Sequence, residues 1–310
     1  MKKKIRYMFF RSLAGLLALC LPALFAAAEE ETPVYTVNEW NFVDGSMDVS
    51  HGIPETANGV LARIRERGVL RVATEPYFAP QEFIDPDLEG QERYVGADMK
   101  LARLIAERMG VDLVIVPMDF TEVLRAVSED ECDLAISALA FTPGRASSNE
   151  MSKGYYYSDA PSNIVMVIRE EDKDKYRTAD DFSEATLAAQ RGSLQESAAV
   201  ENLPKYKEFR RLVLTQDVYD AVSSGDADAG AVDMENAENY IRNNPDCGLV
   251  MAEGISFSLD EQYAGDRIAA KKGETELLYF VNGVIDEVTD SGLYEEWYEE
   301  AQARADELDL

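Results

Sequence analysis

Strand and helix patterns alternate along most of this chain, and the alternation constrains its fold more than any other feature of the sequence. Short β-rich runs at residues 69–73 and 133–137 lie on either side of a segment, 99–109, whose apolar residues recur with a helical period and which Gly110 ends. The alternation restarts after Tyr157. Helices that alternate with strands predict α/β sheets with helices packed on their faces.

The individual elements follow from the same periodicity. Further strands are predicted at 111–117, 164–168, 186–189, 212–214, 229–232 and 249–251, and helices at 59–67, 122–127, 195–203, 218–223 and 234–242. The apolar residues between 274 and 308 predict one long, packed helix.

The start of the chain has the pattern of a secretory signal peptide. Basic residues come first, an apolar run follows, and the small residues Ala26 and Ala28 precede a stretch of glutamates. We therefore predict a signal peptide at 1–28 and an exported, periplasmic protein. Cys20 leaves a lipoprotein signal as an alternative. Cleavage after Ala28 is favoured over it, because such signals prefer a small residue where Leu19 stands.

The composition argues against several classes of function. The chain has 59 acidic and 30 basic side chains and a net charge of −29, which disfavours binding to nucleic acid and favours a monomer. His51 is the one histidine of the sequence, and its three cysteines have no CxxC spacing. Neither a metal site nor a redox motif is predicted, and no cofactor is expected.

Seven blocks of the sequence follow one another in an order and spacing typical of one family. They are residues 70–80, 95–99, 133–145, 152–156, 190–193, 226–233 and 268–273. The first contains the aromatic-x-Pro loop Phe78-Ala79-Pro80, and the third ends in Thr142-Pro143-Gly144-Arg145. In these blocks the chain resembles the family 3 extracellular solute-binding proteins of amino-acid ABC importers. Ala97 departs from the aromatic residue usual in the second block.

The resemblance implies an α/β fold of the type II periplasmic binding proteins. Two α/β lobes would be joined by a two-strand hinge, with the ligand in the cleft between them. The first lobe would comprise 60–157 and 256–310, and the second 158–255. Residues 29–59 would form an N-terminal extension.

The resemblance also implies how an amino acid would be held. Arg145 matches the arginine that binds the ligand carboxylate, for which a planar guanidinium fork is well suited. Asp233 matches the acid that binds the ligand ammonium from the other lobe. A ligand that bridges the two residues would favour the closed state. Without the resemblance, Arg145 could lie in a solvated loop, and Asp233 could be an ordinary helix cap.

The remaining candidate residues match less specific positions of the family. Gly192 and Ser193 match a turn that binds the carboxylate, although Leu194 stands where a second hydroxyl is common. Ala138 and Ala140 match positions that contribute main-chain groups. Phe78 and Phe120 would pack on the aliphatic part of the ligand, or simply in the core. Glu75 and Ser137 match positions that contact the ligand side chain, and a carboxylate there suits a polar or basic amino acid.

The predicted function is therefore binding without catalysis, with no catalytic residue. The captured amino acid would be delivered to an ABC permease and its ATPase, partners inferred from the family alone. Two alternatives stay open. One is a periplasmic dehydratase of the cyclohexadienyl type, which shares this fold and needs a carboxyl group as general acid or base. The other is a component of a ligand-sensing receptor, which would need a separate membrane partner.

Overall fold

The structure is a computed structural model that describes residues 42–157, 163–258 and 264–310. Its strands are β1 (Val69–Thr74), β2 (Tyr77–Phe78), β3 (Glu82–Ile84), β4 (Tyr94–Val95), β5 (Asp112–Pro117), β6 (Leu134–Ala140), β7 (Asn149–Tyr156), β8 (Asn163–Arg169), β9 (Thr186–Gln190), β10 (Glu208–Leu212), β11 (Ala229–Asp233), β12 (Leu249–Ser258) and β13 (Asp266–Lys271). Its α-helices are α1 (Gly59–Arg67), α2 (Ala97–Met109), α3 (Phe120–Ser128), α4 (Pro143–Ser148), α5 (Leu194–Asn202), α6 (Thr215–Ser224), α7 (Met234–Asn243), α8 (Thr275–Ser291) and α9 (Leu293–Glu307).

Two five-stranded sheets with the same topology organise the chain. The first has the order β5-β1-β6-β13-β7, and the second has the order β10-β9-β11-β8-β12. In each sheet the first three strands are parallel. The fourth strand of each sheet is antiparallel to its neighbours. It is β13 in the first sheet and β8 in the second, and each is the first strand after the chain crosses from the other sheet. We call the first sheet, the small sheet β2-β3-β4 and the helices α1–α4, α8 and α9 the first lobe, and the second sheet with α5–α7 the second lobe.

Both sheets are buried on their two faces. In β8, Ile164, Met166 and Ile168 pack into one apolar cluster, while Val165 and Val167 pack into another on the opposite face. Alternate residues of a strand point to opposite sides, so a strand that is apolar throughout requires cover on both. This confirms the predicted α/β class with helices on the sheet faces.

The described part of the predicted extension packs into the first lobe. The Asn282 amide nitrogen donates hydrogen bonds to the carbonyl oxygens of Val43 and Gly45, each at 2.8 Å. Gly283 allows this close approach, because a Cβ atom at this position would lie 2.2 Å from the Met47 carbonyl oxygen. The segment therefore covers α8 rather than extending away from the lobe.

Two predicted elements are wrong. The strand predicted at 212–214 lies earlier, as β10, because Glu208–Leu212 pairs in parallel with β9. The single helix predicted over 274–308 is two helices. Gly292 has a φ of 70° and ends α8, and α9 starts at the next residue.

Several predictions fall outside the described residues. These are the signal peptide at 1–28 with Cys20, and the part of the predicted hinge that follows residue 157. Strand β12 continues to Ser258 in the second sheet, past the predicted lobe boundary at 255. In the part of the chain that is described, no helix combines the length and the apolar character needed to cross a membrane.

Candidate functional site

The predicted site residues lie at the carboxyl ends of parallel strands from both sheets. In the first lobe Glu75 follows β1, Ser137 lies in the middle of β6, and Ala140 ends β6. In the second lobe Ser193 follows β9, and Asp233 ends β11. In open α/β sheets this edge forms the ligand crevice. Here the edges of the two sheets face each other, and the space between them contains cavities lined by both lobes.

One cavity, of about 50 Å³, collects most of the predicted residues, and we call it the Arg145 cavity. Its wall includes Glu75, Phe78, Phe120, Ser137, Ala138, Ala140, Arg145 and Ser193. It also includes four residues that were not among the predicted site residues, Glu82, Gln190, Leu194 and Gln195. Gly192 and Asp233 do not line this cavity.

Arg145 supplies the positive charge of the cavity. Its backbone N–H donates to the N-cap Thr142 of α4 at 3.1 Å, and its Nη1 donates to the Ala140 carbonyl at 2.8 Å. The guanidinium carbon lies 5.5 Å from the centroid of the Phe120 ring. Burial lowers the Arg145 pKa to about 10, opposed by the charge of Asp266, so the side chain is cationic at neutral pH. No carboxylate of the described residues forms an ion pair with it.

Glu75 brings a carboxyl group into the same cavity. Its side chain is 2% exposed, and its Oε1 atom has no hydrogen-bond partner among the described residues. Burial, and secondarily the charge of Asp119, raises the Glu75 pKa to about 8, against the opposing effect of a hydrogen bond with Gln190. At neutral pH most of this carboxyl group is therefore protonated.

The Ser137 hydroxyl is hydrogen-bonded to protein groups both as acceptor and as donor. Its hydroxyl accepts a hydrogen bond from Glu75 N at 3.0 Å and donates one to Glu82 Oε1 at 2.9 Å. The hydroxyl proton is thus used within the protein, and Ser137 orients Glu75 and Glu82. This role differs from the predicted direct contact with a ligand side chain, which stays a prediction.

Glu82 and Asp98 form a buried pair of carboxyl groups beneath the cavity. Burial raises the pKa of both, and the charge of Asp98 raises that of Glu82 further. Asp98 accepts hydrogen bonds from Ala138 N, Tyr155 Oη and Tyr294 Oη at 2.9, 2.8 and 2.6 Å. These three donors favour the anion on Asp98, so the proton that the pair shares resides on Glu82.

Ala138 and Ala140 shape the floor of the cavity. Ala138 has a φ of 44°, in the left-handed region that costs a non-glycine residue energy. Its N–H is held by Asp98, and the pairing of β6 with β13 shifts register here. The distortion lies at the site itself, where the Ala138 N–H and the Ala140 carbonyl are already bonded to Asp98 and Arg145.

The second lobe contributes the start of helix α5. Ser193 caps it, since its hydroxyl accepts from Glu196 N at 3.0 Å while donating to Gln190 O at 2.8 Å. The Gly192 N–H is bonded to Glu196 Oε2 at 2.8 Å. The donors predicted at Gly192 and Ser193 are therefore already hydrogen-bonded within the protein. The first N–H groups of the helix, at Leu194 and Gln195, have no acceptor within the helix and are the better donors to an anion.

Asp233 lies in an adjoining cavity, of about 10 Å³. It is the N-cap of α7, and its Oδ1 accepts from Glu235 N at 2.9 Å and Asn236 N at 3.2 Å. Burial raises its pKa to about 6, in spite of these hydrogen bonds, so it is mostly ionised at neutral pH. Phe78 lines both this cavity and the Arg145 cavity, and thus separates the two charges.

A third and larger cavity, of about 300 Å³, lies beyond Ala79 between the same two lobes. The largest apolar cavity is the usual first candidate for a ligand site. However, none of the described residues in its wall has an ionised side chain. A zwitterion would leave two charges uncompensated there, at a cost of several kcal/mol. The two smaller cavities hold Arg145 and Asp233 and are the candidate site for a charged ligand.

The described residues contain no cluster of metal-binding side chains. Within the three described ranges, no group of three or more His, Cys, Asp or Glu side chains could hold a metal ion. The arrangement is suited to binding opposite charges rather than to coordination.

Comparison with protein families gives one match that spans most of the chain. Residues 70–301 match the bacterial extracellular solute-binding proteins, family 3. The arginine-binding extracellular protein of Bacillus subtilis is 27% identical over 237 residues, which cover 74% of this chain and 86% of that protein.

A solved structure gives the same result. The crystal structure of an amino acid ABC transporter substrate-binding protein from Streptococcus pneumoniae, bound to L-arginine, superposes with a TM-score of 0.70. It is 30% identical and covers 79% of this chain and 98% of that one. The cyclohexadienyl dehydratase of Pseudomonas aeruginosa is also similar, with 28% identity over 64% of this chain and 72% of the enzyme.

Proposed function

The chain belongs to family 3 of the bacterial extracellular solute-binding proteins, and from this premise we propose that it captures a polar amino acid, basic ones in first place, between its lobes. The observation that carries the proposal is the guanidinium of Arg145, which has no ion-pair partner among the described residues and shares a cavity with Glu75. A desolvated cation costs free energy unless an anion meets it. A ligand carboxylate would provide that anion.

The carboxylate would lie between Arg145 and the start of α5. The Ala140 carbonyl and the Phe120 ring fix the guanidinium from two sides, which leaves its remaining N–H groups for a ligand. The N–H groups at Leu194 and Gln195 come from the second lobe, and the helix dipole adds to their attraction for an anion. The carboxylate would therefore contact both lobes.

The ammonium group would pair with Asp233 on the other side of Phe78. Asp233 is mostly ionised at neutral pH and uses Oδ1 for capping, so Oδ2 is left to accept from the ammonium. Phe78 borders both cavities, so the apolar atoms around the α-carbon of the ligand would pack on the Phe78 ring. These positions support the roles predicted for Arg145, Asp233 and Phe78.

Glu75 would decide the preference for the side chain. Its Oε1 has no partner, and a guanidinium or ammonium group could donate to it directly. The relatives from Bacillus subtilis and Streptococcus pneumoniae are described as arginine-binding and as bound to L-arginine. Both features favour a basic amino acid over an apolar one.

Capture requires movement of the lobes. The Arg145 cavity, of about 50 Å³, is smaller than a basic amino acid, so the ligand must enter while the lobes are apart. We propose that the exported protein acts as a monomer in the periplasm and presents its closed form to an ABC permease with its ATPase. The family and the signal pattern at 1–28 support this proposal.

Calorimetric titration of Arg145 variants tests the binding function. The protein is first unfolded and refolded to remove carried-over ligand, and then titrated with arginine, lysine, citrulline, histidine, glutamine and cystine. Arginine or lysine is expected to bind best. Arg145→Ala should weaken binding at least a hundredfold, about 3 kcal/mol, because the carboxylate loses its main partner.

Arg63→Ala is the matched control. Arg63 is an exposed arginine of α1 that pairs with Asp130 at 3.1 Å, away from the cleft. Its removal should leave affinity within about twofold of wild type. Lack of binding by all six amino acids, or equal effects of the two substitutions, would contradict the proposed function.

One observation favours the dehydratase as a second candidate. The carboxyl group of Glu75, protonated at neutral pH and close to Arg145, could act as a general acid on an anionic substrate. Prephenate and arogenate should be incubated with the protein and the products separated by chromatography. Turnover that is lost in Glu75→Gln would establish the enzyme. If neither substrate is converted, only the binding function remains.

A further inference from the structure

The 300 Å³ cavity lies next to the candidate site but on the other side of β2. Phe78 lines the Arg145 cavity, whereas its neighbour Tyr77 lines the larger cavity. Tyr77 is 53% exposed, an unusual state for a large aromatic side chain, and it lies at the rim. The cavity is therefore open to solvent and separate from the positions assigned to the amino acid.

The side chains that line this cavity are uncharged, and several of them are aromatic. The first lobe contributes Tyr77 and Phe83, and the second contributes Leu214, Tyr219 and Tyr240. The rings of Tyr219 and Tyr240 stack with their centroids 3.9 Å apart and their planes within 3°. Charged residues make up 29% of the chain, yet none appears among the described wall residues. The side chains of the wall, that of Leu310 included, offer no counter-charge to an ionised ligand, so they favour a neutral one.

The polar groups of the wall are mostly amides. Asn236 Oδ1 accepts from Tyr219 Oη at 2.6 Å, and Asn239 Nδ2 donates to Gln302 Oε1 at 2.9 Å. Gln216 is exposed at the edge and contacts Tyr240 Oη at 3.4 Å. Amides can donate to or accept from an uncharged polar group without an ionic partner. The combination of flat apolar surface and a few amides is typical of sites for small molecules.

We propose that this cavity binds a neutral small molecule with a planar ring, and that its occupation stabilises the closed arrangement of the lobes. An occupant would contact both lobes, so it would bind the closed state better than the open one. The Asn239–Gln302 hydrogen bond joins the lobes within the wall itself. Asn236 and Asn239 also line the Asp233 cavity, so the two sites share one face of α7.

The proposal implies coupling between the two sites. If the amino acid and the neutral molecule both favour closure, each must raise the affinity for the other by the same factor. This coupling rests on the proposed amino-acid binding, whereas occupation of the cavity does not. The two parts are therefore measured separately.

Indole is the first probe, and indole-3-acetate is its charged counterpart. Binding to the whole chain is followed by saturation-transfer NMR and by titration of chemical shifts. Indole should bind, and indole-3-acetate should bind at least tenfold more weakly. Arginine affinity, or that of whichever amino acid binds, should rise at least twofold in saturating indole.

Two substitutions on α6 locate the site. Gln216→Trp should fill the mouth of the cavity and weaken indole binding at least tenfold. Ser224→Trp adds the same side chain at an exposed position of the same helix outside the wall, and should leave indole binding unchanged. Both variants should retain the wild-type circular dichroism spectrum.

The outcomes separate the two proposals. Absence of indole binding, equal binding of both probes, or equal effects of the two substitutions would overturn the cavity site. Indole binding that depends on Gln216 would support the site even if no amino acid binds, and in that case only the amino-acid function would fail. Indole binding without any change in amino-acid affinity would overturn the coupling.

Discussion

Among the single residues of the site, Glu75 has the property with the clearest functional consequence. Burial raises its pKa to about 8, so the empty site holds a proton there at neutral pH. A guanidinium or ammonium group beside Glu75 would favour the carboxylate form. Binding of a basic amino acid must then displace that proton into solution.

Arginine affinity is therefore expected to rise with pH between about 6 and 8 and to level off above 8. Below the pKa of the free protein each binding event releases up to one proton, which corresponds to at most about tenfold in affinity per pH unit. Calorimetry at several pH values, in two buffers with different ionisation enthalpies, measures both the affinity and the number of protons released.

Glu75→Gln is the control for this prediction. The variant keeps the shape of the side chain but cannot ionise, so its arginine affinity should be lower and nearly independent of pH. Citrulline, which has no side-chain charge, should bind both proteins with similar affinity. An arginine affinity of the wild type that does not change across this range would contradict the role of Glu75.

The same shift has a consequence for stability. The pKa of Glu75 in the folded state lies above its ordinary value of 4.5, so Glu75 favours folding most strongly below pH 4.5. That contribution is lost as the pH rises through about 8. The ligand-free Glu75→Gln variant should therefore gain stability relative to wild type as the pH is raised, and the difference in denaturant midpoint measures it.

At the scale of elements, helices α7 and α9 join the two lobes, from the wall of the Asp233 cavity outward. Asn239 donates to Gln302 at 2.9 Å, and Arg242 and Asn243 contact Asp306 at 3.2 and 3.0 Å. Helix α7 is also the helix that Asp233 caps. Contact between the helices thus stabilises the same arrangement that a ligand at Asp233 would favour.

Asp306→Ala is expected to weaken amino-acid binding about threefold to tenfold without touching the candidate site. It removes partially exposed polar contacts, each worth about 0.5–1 kcal/mol. The loss should appear as faster dissociation, measured by stopped-flow fluorescence, and as a larger radius of gyration without ligand in small-angle scattering. Glu299→Ala, an acidic residue exposed on the same helix, should change neither quantity.

Periodicity could predict the elements but not all of their limits. The apolar residues of 99–109 and the stop at Gly110 identify α2, because packing and capping both act locally there. Strand β10 has mostly polar side chains, and its position depends on pairing with β9, which is a long-range contact. The break between α8 and α9 depends on the conformation of one residue, Gly292.

For the molecule as a whole, the sequence could predict the fold and most of the cavity. The family match confirms the two-lobed class, and the strand ends bring eight of the ten candidate residues to one wall. The sequence could not predict which polar groups of the site are already hydrogen-bonded within the protein. Ser137, Gly192 and Ser193 are bonded within the protein, and Glu82 enters the wall through its pairing with Asp98. These facts depend on angles and distances that spacing does not specify.

The net charge of −29 also acts at the scale of the whole molecule. Its field attracts a cation over distances comparable to the Debye length, and salt screens that attraction. Arginine has a net positive charge and citrulline is its neutral near-isostere. The association rate of arginine should therefore fall about threefold between low salt and about 0.5 M NaCl, where the Debye length is only a few ångströms, while that of citrulline stays constant.

Stopped-flow fluorescence at a series of salt concentrations gives both association and dissociation rates. Steering acts on the approach of the ligand, so the dissociation rate of arginine should change much less than its association rate. If salt instead acts mainly on dissociation, the effect arises from contacts within the closed site, Glu75 among them. Equal salt dependence for arginine and citrulline would mean that the acidic surface serves solubility and does not guide the ligand.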